Sequence, residues 1–564
     1  MKIFYSFIAL LLLHLSTFAQ STLITPGTNE PNIIANGTNY GGITPPRLTA
    51  QQIAAIASPT VGSMVYDSDN NCLRIFDGSK WKCQTEAIVN PDAAAHSVGG
   101  LGNQIPYDME IVGEFIYVAG EFENTINFVD DFGPVILTSS GGKDGFVAKL
   151  RKDGRVIWAR QMSNSSQCIA NQVKIDNNGD VYVGGTHKGT MTVGSITLGN
   201  ASTSTNDIFF AKYNTNGVFQ WVQKIGGTDE DSLSAMAIDG QNNIHLTGMF
   251  AGTTTLYNAG GGIGVILFSA GCTDLLYAKY SNAGAYVHHK VGTSAACVTG
   301  TALTIDQFNN VYLAGTYRGT TSPLTFDGIP YNPPTEIDKA GFFVKISASN
   351  VTISTVKSAG VSWPSAMVTD NSNNLYLVSN YRLVAGSSFI GTLLIPIPLL
   401  YVAKFSNSLD LVWFNTAVNV PTNSTIGSSC LSPGGSIYLP KIADISISNN
   451  STLHVTGVYF CATAFNTFGI NSITGDYNYG NDPRIYQTAQ DFNAAYFEYD
   501  LDGNLRLSKS YGAITGFDGF TSIKAASNGE VFGVGFFENT VNWGNGYTTT
   551  SIGEKDMFLL KLSK

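Results

Sequence analysis

A unit of four strand-like segments returns seven times along this chain, and that recurrence constrains the fold more than any single residue does. Its clearest copy runs from Ala170 to Gly227, ANQVKIDNNGDVYVGGTHKGTMTVGSITLGNASTSTNDIFFAKYNTNGVFQWVQKIGG. Ala170 to Asp176 alternates and stops at Asn177-Asn178-Gly179, residues that accept the positive φ of a tight turn. Val181 to Gly185 is β-branched and aromatic and ends in Gly-Gly. After a longer excursion, Asp207 to Tyr213 forms a third segment, Asn214 to Gly217 a second turn, and Val218 to Ile225 a fourth segment. These are strands A, B, C and D.

The glycine that closes strand B, or its equivalent, falls at Gly120, Gly185, Gly248, Gly315, Ser379, Gly457 and Gly535, at intervals of 65, 63, 67, 64, 78 and 78 residues. Strand C recurs as DGFVAKL, DIFFAKY, DLLYAKY, GFFVKI, LLYVAKF, AAYFEY and DMFLLKL. A four-stranded sheet has two faces and cannot bury them without neighbours, so the repeats must stack. The last repeat reaches only its strand C before Lys564, while Ala93 to Gly100 carries the features of a strand D with its exit glycines. The N-terminal strand is therefore expected to complete the last sheet, a closure that removes exposed edges. The expected fold class is all-β: a closed seven-bladed β-propeller of four-stranded blades, preceded by a small helix-plus-hairpin module.

The domain boundaries follow. Residues 1–19 have the charged start, short apolar core and small-residue exit of a signal peptide, so export to the periplasm, cell surface or medium is expected. Residues 20–42 are a polar Gly/Asn/Pro-rich lead-in. Residues 43–86 form the small module, with a helix predicted over Thr49 to Ala57 and a hairpin from Ser63 to Phe76. Residues 87–564 carry the repeats. The apolar run Leu393 to Val402 holds two prolines and is about half the length of a membrane helix, so it is expected to be a strand and no membrane span is expected. A net charge of -10 without a basic cluster disfavours nucleic acid as a partner.

Seven cysteines in an exported chain, with no CxxC spacing, favour disulfides over thiolate metal sites. The expected pairs are Cys72–Cys83 in the module, Cys272–Cys297 at the upper ends of neighbouring strands, and Cys430–Cys461 in the same situation. Cys168 is the thiol left over.

Two stretches resemble known families. The segment ITPPRLTAQQIAAIASPTVGSMVYDSDNNCLRIFDGSKWKC resembles a short module found near the start of many secreted bacterial surface proteins and in phage tail-fibre proteins, which implies display or attachment. The repeats, in copies such as DNNGDVYVGG followed by DIFFAKY and FQWVQKIGG, resemble the bacterial seven-bladed β-propeller repeat family. Repeats five and six depart from that pattern, with Ser379 for glycine and Glu498 where other copies have lysine. The hairpin AKYNTNGVFQW, echoed by Ala148, Gly154 and Trp158, also looks like the tryptophan-docking motif of quinoprotein dehydrogenases. Those enzymes hold pyrroloquinoline quinone with calcium, often beside adjacent cysteines, and no adjacent cysteine pair occurs here, so shared packing rather than that cofactor is expected.

In such a fold the A–B and C–D turns share one face while the B–C and D–A connections share the other. The A–B and C–D turns are minimal, the B–C excursions are long, and two segments, Asn419 to Pro440 and Asn471 to Gln490, are further enlarged. A ligand is therefore expected on the B–C/D–A face. Asp229, Glu230 and Asp231 lie in a D–A connection and are its ligand-face candidates, for a cation or a sugar hydroxyl, against the blander reading of a solvated acidic turn. Asp500-Leu501-Asp502-Gly503-Asn504 and Asp67-Ser68-Asp69-Asn70-Asn71 have oxygen spacings that could touch structural calcium, but each lacks the closing glutamate and suits a turn better. No cofactor and no metal ligand is assigned. His288 and His289 are adjacent on a strand and point opposite ways, His245 and His454 replace a packing tyrosine, and Trp158, Trp221 and Trp413 recur at one register as packing between repeats.

No GxSxG, HExxH or phosphate-loop motif occurs. The expected function is that of a monomeric secreted or surface recognition and adhesion propeller binding an unidentified glycan, peptide or protein. The alternatives are an enzyme acting on polysaccharide and a passive surface-layer component. Acids from at least two blades converging in the central funnel, with perturbed pKa values, would favour the enzyme.

Overall fold

The computed structural model describes residues 45–60, 63–69, 72–76, 80–84, 95–130, 133–200, 202, 204–318, 323–331, 340–352, 357–358, 363–380, 388–390, 393–395, 400–420, 444–460, 464–469, 478–480, 492–512, 516–543 and 548–562. The chain divides into two compact parts, Met1–Pro91 and Asp92–Lys564.

In the first part a five-residue helix, Ala50–Ala54, is shorter than the stretch predicted for it. Thr49 caps it, with Gln52 reaching back to form a capping box, and Ile53 is its buried residue. Met64–Asp67, Cys72–Phe76 and Trp81–Gln84 form an antiparallel sheet, and Arg47–Leu48 adds a parallel edge to its first strand. The carboxylates of the predicted Asp67–Asp69 turn are used locally: Asp67 pairs with Arg74 at 2.6 Å, and Asp69 accepts the Ala50 N–H at 2.9 Å. Cys72 and Cys83 lie on adjacent strands, with Cys83 opposite Arg74. Their side chains lie outside the described residues, as do Cys430 and Cys461.

The second part is built of antiparallel four-stranded meanders, seven among the described residues. Strand A of each is, in order, Gln104–Val112, Gln167–Ile175, Ser232–Ile238, Cys297–Ile305, Trp363–Thr369, Ile445–Ser448 and Gly519–Ala525. Each strand A neighbours the strand A of the next repeat, and that of repeat seven neighbours that of repeat one. Side-by-side meanders with their first strands innermost are the architecture of a β-propeller. Ala95–Val98 pairs with Met557 to Leu560, so the chain's start supplies the fourth strand of repeat seven.

The turn residues explain why the A–B hairpins form. Asp176 accepts the Asn178 and Asp180 N–H groups at 2.9 Å each, and Tyr182 donates its hydroxyl to the same carboxylate at 3.0 Å. Asp306 and Asp370 repeat the arrangement with Tyr312 and Tyr376. In repeat three His245 takes the tyrosine's place and bonds to Asp239 at 3.1 Å. In repeat six His454 bonds to Ser448 at 2.7 Å. Between repeats, the Trp158 and Trp413 indoles donate to the backbone oxygens of Thr215 and Leu501 in the C–D turn of the next repeat. They lie over Gly217 and Gly503, which have positive φ and where a Cβ would meet the indole at 2.6 and 3.0 Å.

The B–C excursions differ from the expectation of loops spread over one face. They fold into hairpins that pair with strand D of the preceding repeat: Met191–Val193 on Met162 to Asn164, Thr253–Tyr257 on Ile225 to Gly227, Leu324–Phe326 on Gly292 to Thr293, and Ala464–Gly469 on Asn415 to Val420. Strand D would otherwise present an unpaired edge of N–H and C=O groups, and the hairpin covers it. At the seam Gly99 bridges to Asn127 in the same way. Most of the enlarged segments Asn419 to Pro440 and Asn471 to Gln490 lies outside the described residues.

Candidate functional site

The first strands enclose a cavity of about 1260 Å³. All six strands A in which the first connection is fully described carry a β-bulge at one register, at Tyr107, Asn171, Ser234, Thr301, Ser365 and Thr521. A bulge leaves one residue unpaired and re-aims its neighbours. In repeat six Asp444 corresponds to the residue just after the bulge: its carbonyl accepts the N–H of Thr456, which precedes Gly457 as Ala119, the partner of Asp108, precedes Gly120.

The residue just after the bulge, and the one two further on, divide the wall into two arcs. In repeats three to five they are Ala235 and Ala237, Ala302 and Thr304, Ala366 and Val368, all at the cavity. In repeats six, seven, one and two they include Asp444, Lys524, Asp108, Glu110 and Lys174, also at the cavity.

The charged side chains of the second arc are joined. Lys174 Nζ lies 2.5 Å from Asp108 Oδ2 and 2.9 Å from Glu110 Oε1. Lys524 pairs with Asp444. Ser522 Oγ lies 3.3 Å from Asp108 Oδ1 and 2.7 Å from Asp444 Oδ2, bridging the two acids. The carboxylates also accept backbone N–H groups of the following strand A: Asp108 from Val173 at 3.0 Å, and Asp444 from Ile523 at 3.3 Å. Burial pushes the Asp108 carboxyl up, but the Lys174 and Lys524 ammonium groups outweigh it and hold it below the usual range. Burial likewise pushes Lys174 down, and Asp108 and Glu110 more than reverse that. Acids from two repeats thus converge in the cavity, the condition set for the enzymatic reading. The perturbation of Asp108 keeps it ionised and lysine-bound, the opposite of what a proton donor at neutral pH needs.

The sequence-derived candidates sit elsewhere. Asp229 is exposed and accepts the Thr228 hydroxyl at 3.0 Å. Glu230 turns onto Asn206, with Oε1 at 2.5 Å from its Nδ2 and Oε2 at 3.1 Å from its N–H. Asp231 is fully buried at 0% exposure. The three do not converge as a surface acidic turn, because the hairpin Thr253–Tyr257 packs across the connection. Cys272 and Cys297 form a disulfide with Cα atoms 5.1 Å apart, as expected, and Cys168 is a buried free thiol. Asp500 accepts the Asp502 and Asn504 N–H groups, the chemistry of a turn. Among the described residues no three His, Cys, Asp or Glu side chains gather as a metal site.

Strand-A alignment carried the signal for the charged arc: alanine at one register in repeats three to five, aspartate in repeats one and six. The bulge shifts the alternation within each strand and hides that register from a periodicity reading.

Residues 25–96 match a family model described as a phage tail like trimerisation region. A stretch of 204 residues, 31% of this chain, is 26% identical to an uncharacterized WD repeat-containing protein of Acanthamoeba polyphaga mimivirus, and spans 14% of that protein's length. Among solved structures, U3-55K aligns over 83% of this chain and 98% of its own at 10% identity and a TM-score of 0.36. The Dos1 propeller aligns over 83% and 95% at 10% identity and a TM-score of 0.35. Streptogramin B lyase aligns over 83% and 98% at 10% identity and a TM-score of 0.32. Likenesses at this level carry no activity across.

Proposed function

We propose that this chain is an exported recognition protein in which residues 25–96 gather three copies, each presenting a closed seven-bladed wheel to a glycan, peptide or protein. The match of residues 25–96 to a trimerisation region carries this reading, and it replaces the expectation of a monomer. The neighbour order of the first strands, returning from repeat seven to repeat one, supports closure with seven blades. The ligand enters from the side of the B–C and D–A connections. Since most B–C excursions are committed to edge pairing, the cavity mouth with its neutral polar bulge residues, Asn171, Ser234 and Thr301 among them, is the better place for it.

Light scattering on the chain from residue 20 onward should give three times the monomer mass. A glycan array and a pull-down should then find a ligand whose binding falls at least tenfold in Asn171→Ala. A monomeric mass removes the display model, and unchanged binding in Asn171→Ala removes the cavity mouth.

One observation favours a second reading, an enzyme acting on polysaccharide: Asp108, Glu110 and Asp444 share one cavity. Release of reducing ends from a polysaccharide panel, lost in Glu110→Gln, would support it.

A further inference from the structure

Asp207 opens strand C of repeat two and Asp231 precedes strand A of repeat three, and both are 0% exposed. None of their four carboxylate oxygens has a hydrogen-bond partner, and neither does the hydroxyl of Thr254, also 0% exposed, nor the side-chain oxygen of Asn206. The two acids lie together: the Gly227 N–H is close to both carboxylates, and the Thr254 hydroxyl and the Ala251 N–H are close to Asp231. Lys224 is the nearest cation, 3.7 Å from Asp207 Oδ2.

The same repeat position shows what Asp207 lacks. Asp144 accepts the Ser140 N–H and the Asn164 N–H at 3.0 Å each, and the Gln161 amide at 2.6 Å. Asp274 accepts the Ala270 N–H at 2.8 Å and the Ser294 N–H at 3.4 Å. Asp556 accepts the Ile552 N–H at 2.8 Å. Three counterparts are held by backbone donors in ordinary hydrogen-bond geometry, whereas Asp207 has only the Gly227 N–H and Lys224 nearby, neither of them in such geometry. Lys224 reaches Asp207 alone, while Asp207 and Asp231 repel each other and Glu230 adds its charge beside Asp207. Buried unpaired carboxylates are costly enough that the fold must neutralise them, with a proton or with a cation. Burial, the largest influence on each, pushes Asp207 to about 6 and Asp231 to about 8, a measure of that cost.

We infer that Asp207, Asp231, the Thr254 hydroxyl and the Asn206 side-chain oxygen hold a divalent cation of the calcium type between repeats two and three. The donors are all oxygens, which suits a hard cation and not zinc, whose protein sites draw on thiolate and imidazole. A sugar hydroxyl cannot reach groups that are fully buried. The site is independent of the ligand and the trimer proposed above.

The test uses the mature chain, stripped with chelator and then dialysed against calcium. Elemental analysis should find one calcium per chain, and the melting temperature should rise by several degrees over the chelated form. Asp231→Asn should lose both the ion and the shift, yet melt no lower than the wild type in chelator, because it removes an unpaired charge. Asp274→Asn, at the counterpart position, should keep the ion. Calcium retained undiminished in Asp231→Asn overturns the assignment. So does a wild-type melt that is indifferent to calcium but rises on acidification from pH 8 to pH 6, which would assign the neutralising role to a shared proton.

Discussion

The cavity wall is one backbone geometry with two linings. In repeats three to five the strand after the bulge carries Ala235, Ala302 and Ala366, and in repeats one and six it carries Asp108 and Asp444. In the charged arc each side chain after the bulge caps an N–H of the next strand A: Asp108 takes Val173, Asp444 takes Ile523, and Ser522 takes Met109 at 3.3 Å. Between repeats two and three Gln172 does the same for Met236 with a neutral amide, at 3.1 Å. The bulge poses a hydrogen-bonding problem at each interface, and a carboxylate is one answer among several. Choosing it brings a buried charge, and Lys174 and Lys524 answer that charge. The charged arc also straddles the seam where the chain's two ends meet, since Asp108 and Ser522 are 414 residues apart in sequence.

The largest break in this comparison is Asp108→Ala. It leaves Lys174 with Glu110 as its carboxylate partner and the Val173 N–H without its acceptor, and it should cost about 3 kcal/mol in urea unfolding. A loss below about 1 kcal/mol would mean that the arc is hydrated and carries little of the fold. Next in size is the recovery expected from removing the three charges joined at Lys174. Asp108→Asn with Glu110→Gln and Lys174→Met should return to within about 1 kcal/mol of the wild type, because it removes all three charges and keeps an amide oxygen to accept the Val173 N–H. Such a variant, stable but unable to bind ligand, would tie the charged arc to function rather than to folding.

The pH dependence has a definite sign. Asp108 is held below its usual range, so its contribution is present above the unfolded pKa of about 3.9 and is lost as pH falls through the folded value. The stability gap between the wild type and Asp108→Ala should stay level from pH 7 to about pH 5 and close only below about pH 4. A gap that narrows near pH 6 would point to a different titrating group.

How much of this was legible in the sequence depended on scale. Strands B and C were, because five or more alternating residues end in turn residues whose backbone demands are strong, as at Asn177 to Gly179. The pairing of Ala95–Val98 with the last strand C was legible from a missing fourth strand, and Cys272–Cys297 from two cysteines at the same end of adjacent strands. The edge hairpins were not: Met191–Val193 and Ile196–Leu198 are three residues each, too short for a period to show. Asp231 was misplaced for a related reason. Its connection reads as a solvated turn, and only the hairpin bearing Thr254, contributed from its own repeat's B–C excursion, buries it.

The smallest and sharpest comparison sets two caps against each other. Ser522→Ala removes the hydroxyl that bridges Asp108 and Asp444, but Met109 keeps an acceptor in Asp108 Oδ1 at 2.9 Å, and Asp444 keeps Lys524. Its cost should be about 1 kcal/mol, that of a hydrogen bond whose partners are satisfied elsewhere. Gln172→Ala removes the acceptor of the Met236 N–H and the donor to the Ser234 carbonyl at 3.1 Å, and should cost about 2 kcal/mol because those groups lose their partner. Urea unfolding of the two variants side by side tests the ranking. If Ser522→Ala proved the costlier, the bond across the seam would be holding the two chain ends together. The charged arc would then be a closure device, and the single strand Ala95–Val98 would be too little to keep the ring shut without it.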